Sequence, residues 1–360
     1  MKKIKLKIAW SAMLLVFTCI LCPELVRGQL PEGVTVTKIW DKAEHNAFTD
    51  LIRFKGKFYC IFREGSDHAG GADGVLRILS SADGKEWEDI ALLEKKGLDL
   101  RDAKLSVTPS GQIMVIIGAT KYENRIIKGR YPHVSFSDIS GETFSAPEKV
   151  NIDPEIVSWG DWIWRVTWYK GTGYGIDYQI GPEERRGPTA LYLVKTTDGR
   201  NFTKVSKMEV DGFPNEATIG FDKDGTMHVM IRRELGDKMG VMAKSAAPFN
   251  DWQYNKMYTR LGGPNFIFGK KQRIIATTRL TERLNEKDVW STGLLIGNKS
   301  GSFKEILRLP SSGDNSYAGM VPHGKFLWVS YYSSHEGKTS IYLAKIPNSF
   351  IKQKIKENPL

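Results

Sequence analysis

The stretch SSADGKEW, residues 80–87, is a turn that closes on an aromatic side chain. Aspartate followed by glycine lets the backbone reverse, and serine hydroxyls can bond to neighbouring backbone groups. A tryptophan at the end of such a turn has to pack between strands to leave water. TTDGRNF at 196–202 repeats the pattern, and SDISGETF (137–144), SAAPFNDW (245–252), NKSGSF (298–303) and IPNSF (346–350) keep mainly its final aromatic. Those aromatics, Trp87, Phe144, Phe202, Trp252, Phe303 and Phe350, recur roughly every fifty residues, the period expected of one repeated structural unit.

A second element precedes each turn. FKGKFYCIF (54–62), PSGQIMVII (109–117), YKGTGYGID (169–177), DKDGTMHVMI (222–231), FGKKQRIIA (268–276) and PHGKFLWVS (322–330) each place a glycine before an alternating apolar run, as a tight hairpin requires. Helical periodicity is nearly absent. Hairpin, long loop, third strand, turn and fourth strand make one blade, so the chain reads as all-β, a six-bladed β-propeller of four-stranded antiparallel blades. The last copy leaves little chain for its outer strand. VTVTKIW (34–40) is expected to supply it and to close the ring, because an open array would leave an unpaired edge. No linker rich in proline or serine divides the series into stacked sandwich domains.

The beginning of the chain reads as a secretion signal. Lys2, Lys3, Lys5 and Lys7 precede an apolar stretch over 8–22, and Val26 and Gly28 are small residues before a cut. The domain reading is therefore a signal peptide over 1–28 and a single propeller over 29–360. The apolar stretch is short for a membrane anchor, and Thr18 and Leu21 poorly fill the place of the small residue that lipoprotein cleavage needs. Cys19 and Cys22 leave with the signal, so Cys60 has no partner for a disulfide, as suits a chain secreted by a bacterium to its periplasm or surface. The net charge of +11 favours a polyanionic partner. With no basic helix or zinc-finger spacing, nucleic acid is not expected, and an acidic glycan is. The six histidines show no metal-ligand spacing, and no dinucleotide or phosphate-binding fingerprint occurs. A monomer without metal or cofactor, and without a membrane span, is the expectation.

SSADGKEW and TTDGRNF resemble the aspartate boxes of the sialidase superfamily, and the blade count agrees over nearly the whole expected mature chain. The resemblance implies a tyrosine nucleophile on the last blade, a glutamate on the fourth that activates it, an arginine closing that fourth-blade strand pair, and an aspartate from the first-blade loop as acid and base. The matching residues are Tyr317 in NSYAGM, Glu216 in PNEATI, Arg232, and Asp73 in the loop REGSDHAGGADG, with Asp67 as its rival. Arg63 and Arg232 each end the second strand of their blades, and Arg279 ends the corresponding strand of the fifth. Three guanidinium groups on one rim suit a sugar carboxylate. The implied activity is that of an exo-glycosidase acting with retention on sialic acid or a related ulosonic acid.

One departure stands out. Sialidases begin the first blade with an arginine–isoleucine–proline motif. Here the stretch is HNAFTDL, with His45 and Asn46 and no arginine, so Arg63 is a replacement for it or the substrate has changed. His45 also opens an alternative, a different glycosidase or a lyase acting on acidic polysaccharide. A non-catalytic glycan-binding propeller is the reading from another class. Arg101 in DLRDAKL and Trp162 in SWGDWIWR complete the candidate pocket. In GDNSYAGM, alternation is expected to put Tyr317 and Gly319 toward the axis, where the missing side chain of Gly319 leaves room for a sugar.

Overall fold

The computed structural model describes residues 30–70, 73–181 and 190–359; the expected signal peptide lies outside them. The closing strand comes first, β1 (Thr35–Trp40). The first blade is β2 (His45–Phe54), β3 (Lys57–Gly65), β4 (Val75–Ser81) and β5 (Glu88–Leu93). The second is β6 (Asp99–Val107), β7 (Ile113–Glu123), β8 (Ile126–Phe136) and β9 (Glu148–Lys149). A short β10 (Asn151–Ile152) precedes the third, β11 (Asp161–Tyr169), β12 (Thr172–Gln179), β13 (Ala190–Thr196) and β14 (Asn201–Met208). The fourth is β15 (Pro214–Phe221), β16 (Met227–Arg233), β17 (Met239–Ser245) and β18 (Gln253–Arg260). The fifth is β19 (Asn265–Phe268), β20 (Ile274–Leu284), β21 (Lys287–Gly297) and β22 (Phe303–Arg308). The sixth is β23 (Asn315–His323), β24 (Phe326–Ser333) and β25 (Ser340–Pro347), followed by helix α1 (Asn348–Glu357).

The inner strands β2, β6, β11, β15, β19 and β23 each pack against the next, and β23 packs against β2, so the blades form a closed ring. β1 pairs antiparallel with β25, from Thr35 opposite Lys345 to Trp40 opposite Ile341, and completes the sixth blade from the other end of the sequence. The third blade departs from the four-stranded expectation, since β10 adds to β14 as a fifth, parallel strand. No helix among the described residues is long and apolar enough to cross a membrane.

The repeated turns join third strands to fourth strands. In two of them the aspartate holds the turn by accepting backbone N–H bonds: Asp83 from Lys85 and Glu86, and Asp198 from Arg200 and Asn201. Asp138 and Asn298 do the same in the weaker copies. Trp87, Phe144, Trp252 and Phe303 are partly buried against the apolar clusters between blades, and Phe202 is fully buried in one. The sixth copy is not a turn. Its strand is supplied by β1, so the chain after Pro347 is free of the sheet and coils into α1, which carries Phe350.

The inner strands are irregular at matching places. Pairing with the second strand shifts between Ala47 and Asp50, Arg101 and Lys104, Ile163 and Val166, Pro214 and Ala217, and Ser316 and Gly319. Phe48, Asp102 and Tyr317 take left-handed backbone angles there, with φ of 60°, 49° and 51°. Such bulges bend a strand and re-aim its side chains. Just beyond them lies a buried ion pair. Asp50, fully buried, accepts two bonds from Arg165 at 2.8 and 3.0 Å and one from the Leu105 N–H at 2.8 Å, joining the first, second and third blades.

Two outcomes are expected. Removing Arg165 strands a buried carboxylate, so Arg165→Ala should cost about 3–5 kcal/mol in chemical denaturation, and Asp50→Asn should recover part of that loss in the double variant. Asp198 is held at about 2, below its ordinary range, because the backbone and side-chain donors around it outweigh its partial burial. A lowered carboxylate stabilises the fold above its unfolded value of ~3.9 and loses that contribution as pH falls through about 2. The melting temperature should therefore fall across this window, less steeply in Asp198→Asn.

Candidate functional site

The bulges of the fourth and sixth blades bring Glu216 and Tyr317 together. The Tyr317 hydroxyl donates to Glu216 Oε1 at 2.5 Å, and Arg232 Nη1 donates to the same oxygen at 2.6 Å and lies 3.3 Å from the hydroxyl. Oε2 accepts the Gly263 N–H at 2.7 Å. Gly263 has a φ of +59°, and a Cβ there would lie 2.7 Å from the Tyr317 ring, so a glycine is needed to bring that N–H to the carboxylate. Burial pushes Glu216 up, but Arg232, Tyr317 and the Gly263 N–H together hold it below the ordinary glutamate range. Burial first, and the Glu216 charge second, push Tyr317 well above the ordinary phenol. At neutral pH the pair is thus a carboxylate accepting from a neutral tyrosine.

Aromatic rings from two more bulges enclose the tyrosine. Phe48 and Trp164 meet it edge-on, with ring centroids 5.3 and 5.4 Å away. Lys104 is buried with its ammonium 4.5 Å from the Trp164 ring and 5.9 Å from the Tyr317 ring, and burial lowers it to about 8. Asp102, at the bulge of the second blade, has Oδ1 buried without a hydrogen-bond partner among the described residues. Burial raises its carboxyl above the ordinary range against the opposing pull of Arg101 and Lys104.

The basic groups are arranged differently from the sequence expectation. Arg232 ion-pairs with Glu216 and Glu234. The Arg279 guanidinium lies 5.4 Å from the centre of the Tyr317 ring, fixed by the Asn315 carbonyl and the Tyr332 hydroxyl. Arg63 is not on the rim. It is fully buried, paired with Asp99 at 2.8 Å and bonded to the Asp67 carbonyl at 2.8 Å. A Cβ on Gly65 or Gly74 would fall 2.5 or 2.2 Å from its guanidinium, so these loop glycines let the backbone close over the arginine. Arg101 instead faces the aromatic cage, 5.1 Å from the Phe48 ring, with Nε buried and unpartnered. The sequence names it as a pocket candidate, and the bulge beside it places it here.

Four other candidates have separate tasks. Asp73 is exposed and accepts the Gly97 N–H at 3.1 Å, and the next residue, Gly74, donates its N–H to Asp99 at 3.0 Å. Asn46 is fully buried and fastens the start of β2 to the Ala43 and Thr339 carbonyls. Trp162 packs flat on the second blade, where a Cβ at Gly118 would lie 2.0 Å from its ring. His45 Nε2 lies 2.9 Å from Asp314 Oδ2. Gly319 also differs from expectation. A Cβ there would lie 2.1 Å from the Leu51 nitrogen, so its bareness serves close contact between the sixth and first blades and leaves no space for a ligand.

No family model and no curated protein matches this sequence. Among solved structures, the fold is similar to that of a protein of unknown function from Dyadobacter fermentans DSM 18053, with a TM-score of 0.70 and 18% identity over 88% of this chain and 100% of that one. Trypanosoma rangeli sialidase gives a TM-score of 0.67 at 10% identity, covering 90% of this chain and 61% of its own. An alpha-L-arabinofuranosidase from Fusarium graminearum gives 0.63 at 12% identity, covering 88% of this chain and 98% of its own. At these identities the likeness is one of fold.

Tyr317→Phe keeps the ring in its aromatic cage and removes one hydrogen bond, while Glu216 retains Arg232 and Gly263. Its unfolding free energy should change by only about 1 kcal/mol in denaturant titration.

Proposed function

We propose that this pocket is the active site of a secreted glycoside hydrolase that removes a terminal acidic sugar, sialic acid or a related ulosonic acid, with retention of configuration. The observation that carries the reading is the 2.5 Å contact between the Tyr317 hydroxyl and a carboxylate on another blade. A free phenol, with a pKa near ~10, is a weak nucleophile at neutral pH unless a base takes its proton. Glu216 is ionised and already accepts that proton, so the phenol loses it as its oxygen attacks the anomeric carbon. A neutral phenol also approaches a carboxylated carbon without the repulsion that a carboxylate nucleophile meets, and tyrosine nucleophiles are the sialidase exception among glycosidases.

The other roles follow from chemistry and position. Asp102 is the acid that protonates the departing oxygen and then activates water, in place of Asp73. Its raised pKa keeps it protonated to higher pH than an ordinary aspartate, as a general acid requires. Arg101, Arg232 and Arg279 hold the sugar carboxylate, with Arg101 taking the part that Arg63, buried against Asp99, does not fill. The likeness in fold to a sialidase and an arabinofuranosidase supports glycoside hydrolysis in general, and the three arginines support an acidic substrate. Export through the basic, apolar leader is part of the same proposal.

Aryl glycosides of sialic acid and of other ulosonic acids test the reading. The protein should hydrolyse at least one, and Tyr317→Phe should lower kcat by orders of magnitude at nearly unchanged stability. If Tyr317→Phe stays near wild type while His45→Ala abolishes turnover, the histidine-based reading replaces this one. Arg101→Ala should weaken an acidic inhibitor by roughly 2–5 kcal/mol in calorimetry, and equal affinity for its neutral ester would remove the carboxylate from the recognition scheme.

A further inference from the structure

Asp314 stands three residues before the site tyrosine, and its carboxylate meets two imidazoles from a distant part of the chain. Oδ2 lies 2.9 Å from His45 Nε2 and 2.7 Å from His68 Nδ1. One ligand atom from each of the three residues falls within 4.8 Å of the others. His45 begins β2 and is buried; His68 sits on the loop after β3 and is half-exposed; Asp314 immediately precedes β23. Nothing in the linear spacing announces the group, because closure of the ring between the first and sixth blades assembles it.

We propose that His45, His68 and Asp314 form a binding site for a first-row divalent transition-metal ion, of which zinc is the reference. Two imidazole nitrogens and one carboxylate oxygen are the donor set for such an ion, and the exposed side of His68 leaves room for water or a ligand in the remaining positions. Bonds of about 2.0–2.2 Å place neighbouring ligand atoms about 3.4 Å apart in a tetrahedral site, so the three side chains need only small shifts from their present spacing. One carboxylate oxygen with two nitrogens is a poor set for magnesium or calcium, which prefer several oxygens.

The carboxylate is braced from behind. Its Oδ1 accepts the Tyr332 hydroxyl at 2.9 Å and lies 3.5 Å from Arg279, and the Asp314 N–H is held by Ser334 Oγ at 3.0 Å. Outer bonds of this kind orient a metal ligand. The Phe48 ring packs against both imidazoles, with centroids 6.4 and 5.0 Å away, and meets Tyr317 on another side. The ion would thus sit beside the pocket, separated from the tyrosine by one aromatic ring. His45 lacks an outer partner, since its Nδ1 is buried without a hydrogen bond. A ligating histidine without that support typically loses about 10–100-fold in affinity, so the site should bind more weakly than a fully braced one. This inference does not depend on the glycosidase reading.

Titration of the chelator-treated protein with zinc in a calorimeter, and with cobalt by its visible absorption, tests the site directly. The expected result is one equivalent bound, a higher melting temperature with zinc, and at least tenfold weaker binding in His68→Ala, which alters a half-exposed loop residue. Asp314→Asn should act likewise. His323→Ala, at an exposed histidine at the far end of β23 from Asp314, should bind as wild type, and magnesium should not compete. No binding at millimolar zinc, or the same affinity and stoichiometry in His68→Ala, would overturn the proposal and leave the three residues as a hydrogen-bonded triad.

Discussion

Regular alternation turns every second side chain of a strand to the same face. In a propeller, where inner strands lie side by side around the axis, both faces belong to the neighbouring blades. A shift of pairing in five of the six inner strands escapes this restriction. Each bulge carries one member of the central group: Phe48, Asp102, Trp164, Glu216 and Tyr317. Their meeting, and the cage around the tyrosine, depend on bulges lying at the same height in separate blades. The cost is backbone strain, with φ near +50° to +60° at Phe48, Asp102 and Tyr317, of the order of 1–3 kcal/mol per residue. Strain of that size persists only where the surroundings fix it, and the ring supplies this through the Asp50–Arg165 pair and the contact of Gly319 with Leu51.

Electrostatics at the axis has one organising feature. Glu216 is a buried anion satisfied on both oxygens, by Arg232, Tyr317 and a backbone N–H. A carboxylate so placed stays charged and leaves the phenol neutral. Asp102, which has fewer donors, is shifted the other way. Two carboxyl groups in one pocket thus have their proton affinities pushed apart, the pattern that separates acid from base in glycosidases. The cationic side is as carefully divided. Arg63 is spent on Asp99, while Arg101 retains an unpartnered nitrogen.

The architecture was legible because its signals are local and repeated. A glycine hairpin and an aromatic-ended turn each need only a few residues, and six hairpins with five such turns fix their meaning. The use of Val34–Trp40 to close the ring was legible for the same reason, since a count of strands left one short. Arg232 could be placed by its offset from a hairpin glycine, and Glu216 and Tyr317 by the resemblance of their blades to those of the sialidase superfamily. What failed depended on loops and on contacts between blades. Asp73 bonds the Gly97 N–H beside the glycine that lies on Arg63, which no spacing reveals. Arg101 was named as a pocket residue, but its neighbour Asp102 looked like an ordinary member of a polar strand start until the bulge turned it. Gly319 was misread because the choice between a sugar and a neighbouring backbone is tertiary information. The pairing of His45 and His68 with Asp314 is likewise invisible along the sequence.

The strand pairing that completes the sixth blade also orders events in time. Thr35 pairs with Lys345, so β1 finds its partner only after all the blades that lie between them in the sequence have been made. Pairings between such distant residues carry a large loop-closure cost and form slowly. Five blades can each assemble from adjacent hairpins, whereas the sixth has an open edge on β25 until β1 arrives, and unpaired edges invite aggregation. The pocket matures at the same moment, because His45 and Asn46 follow β1 directly and fasten to Asp314 and Thr339 beside that blade. The last step of folding therefore closes the open edge and sets His45 against Asp314 at once.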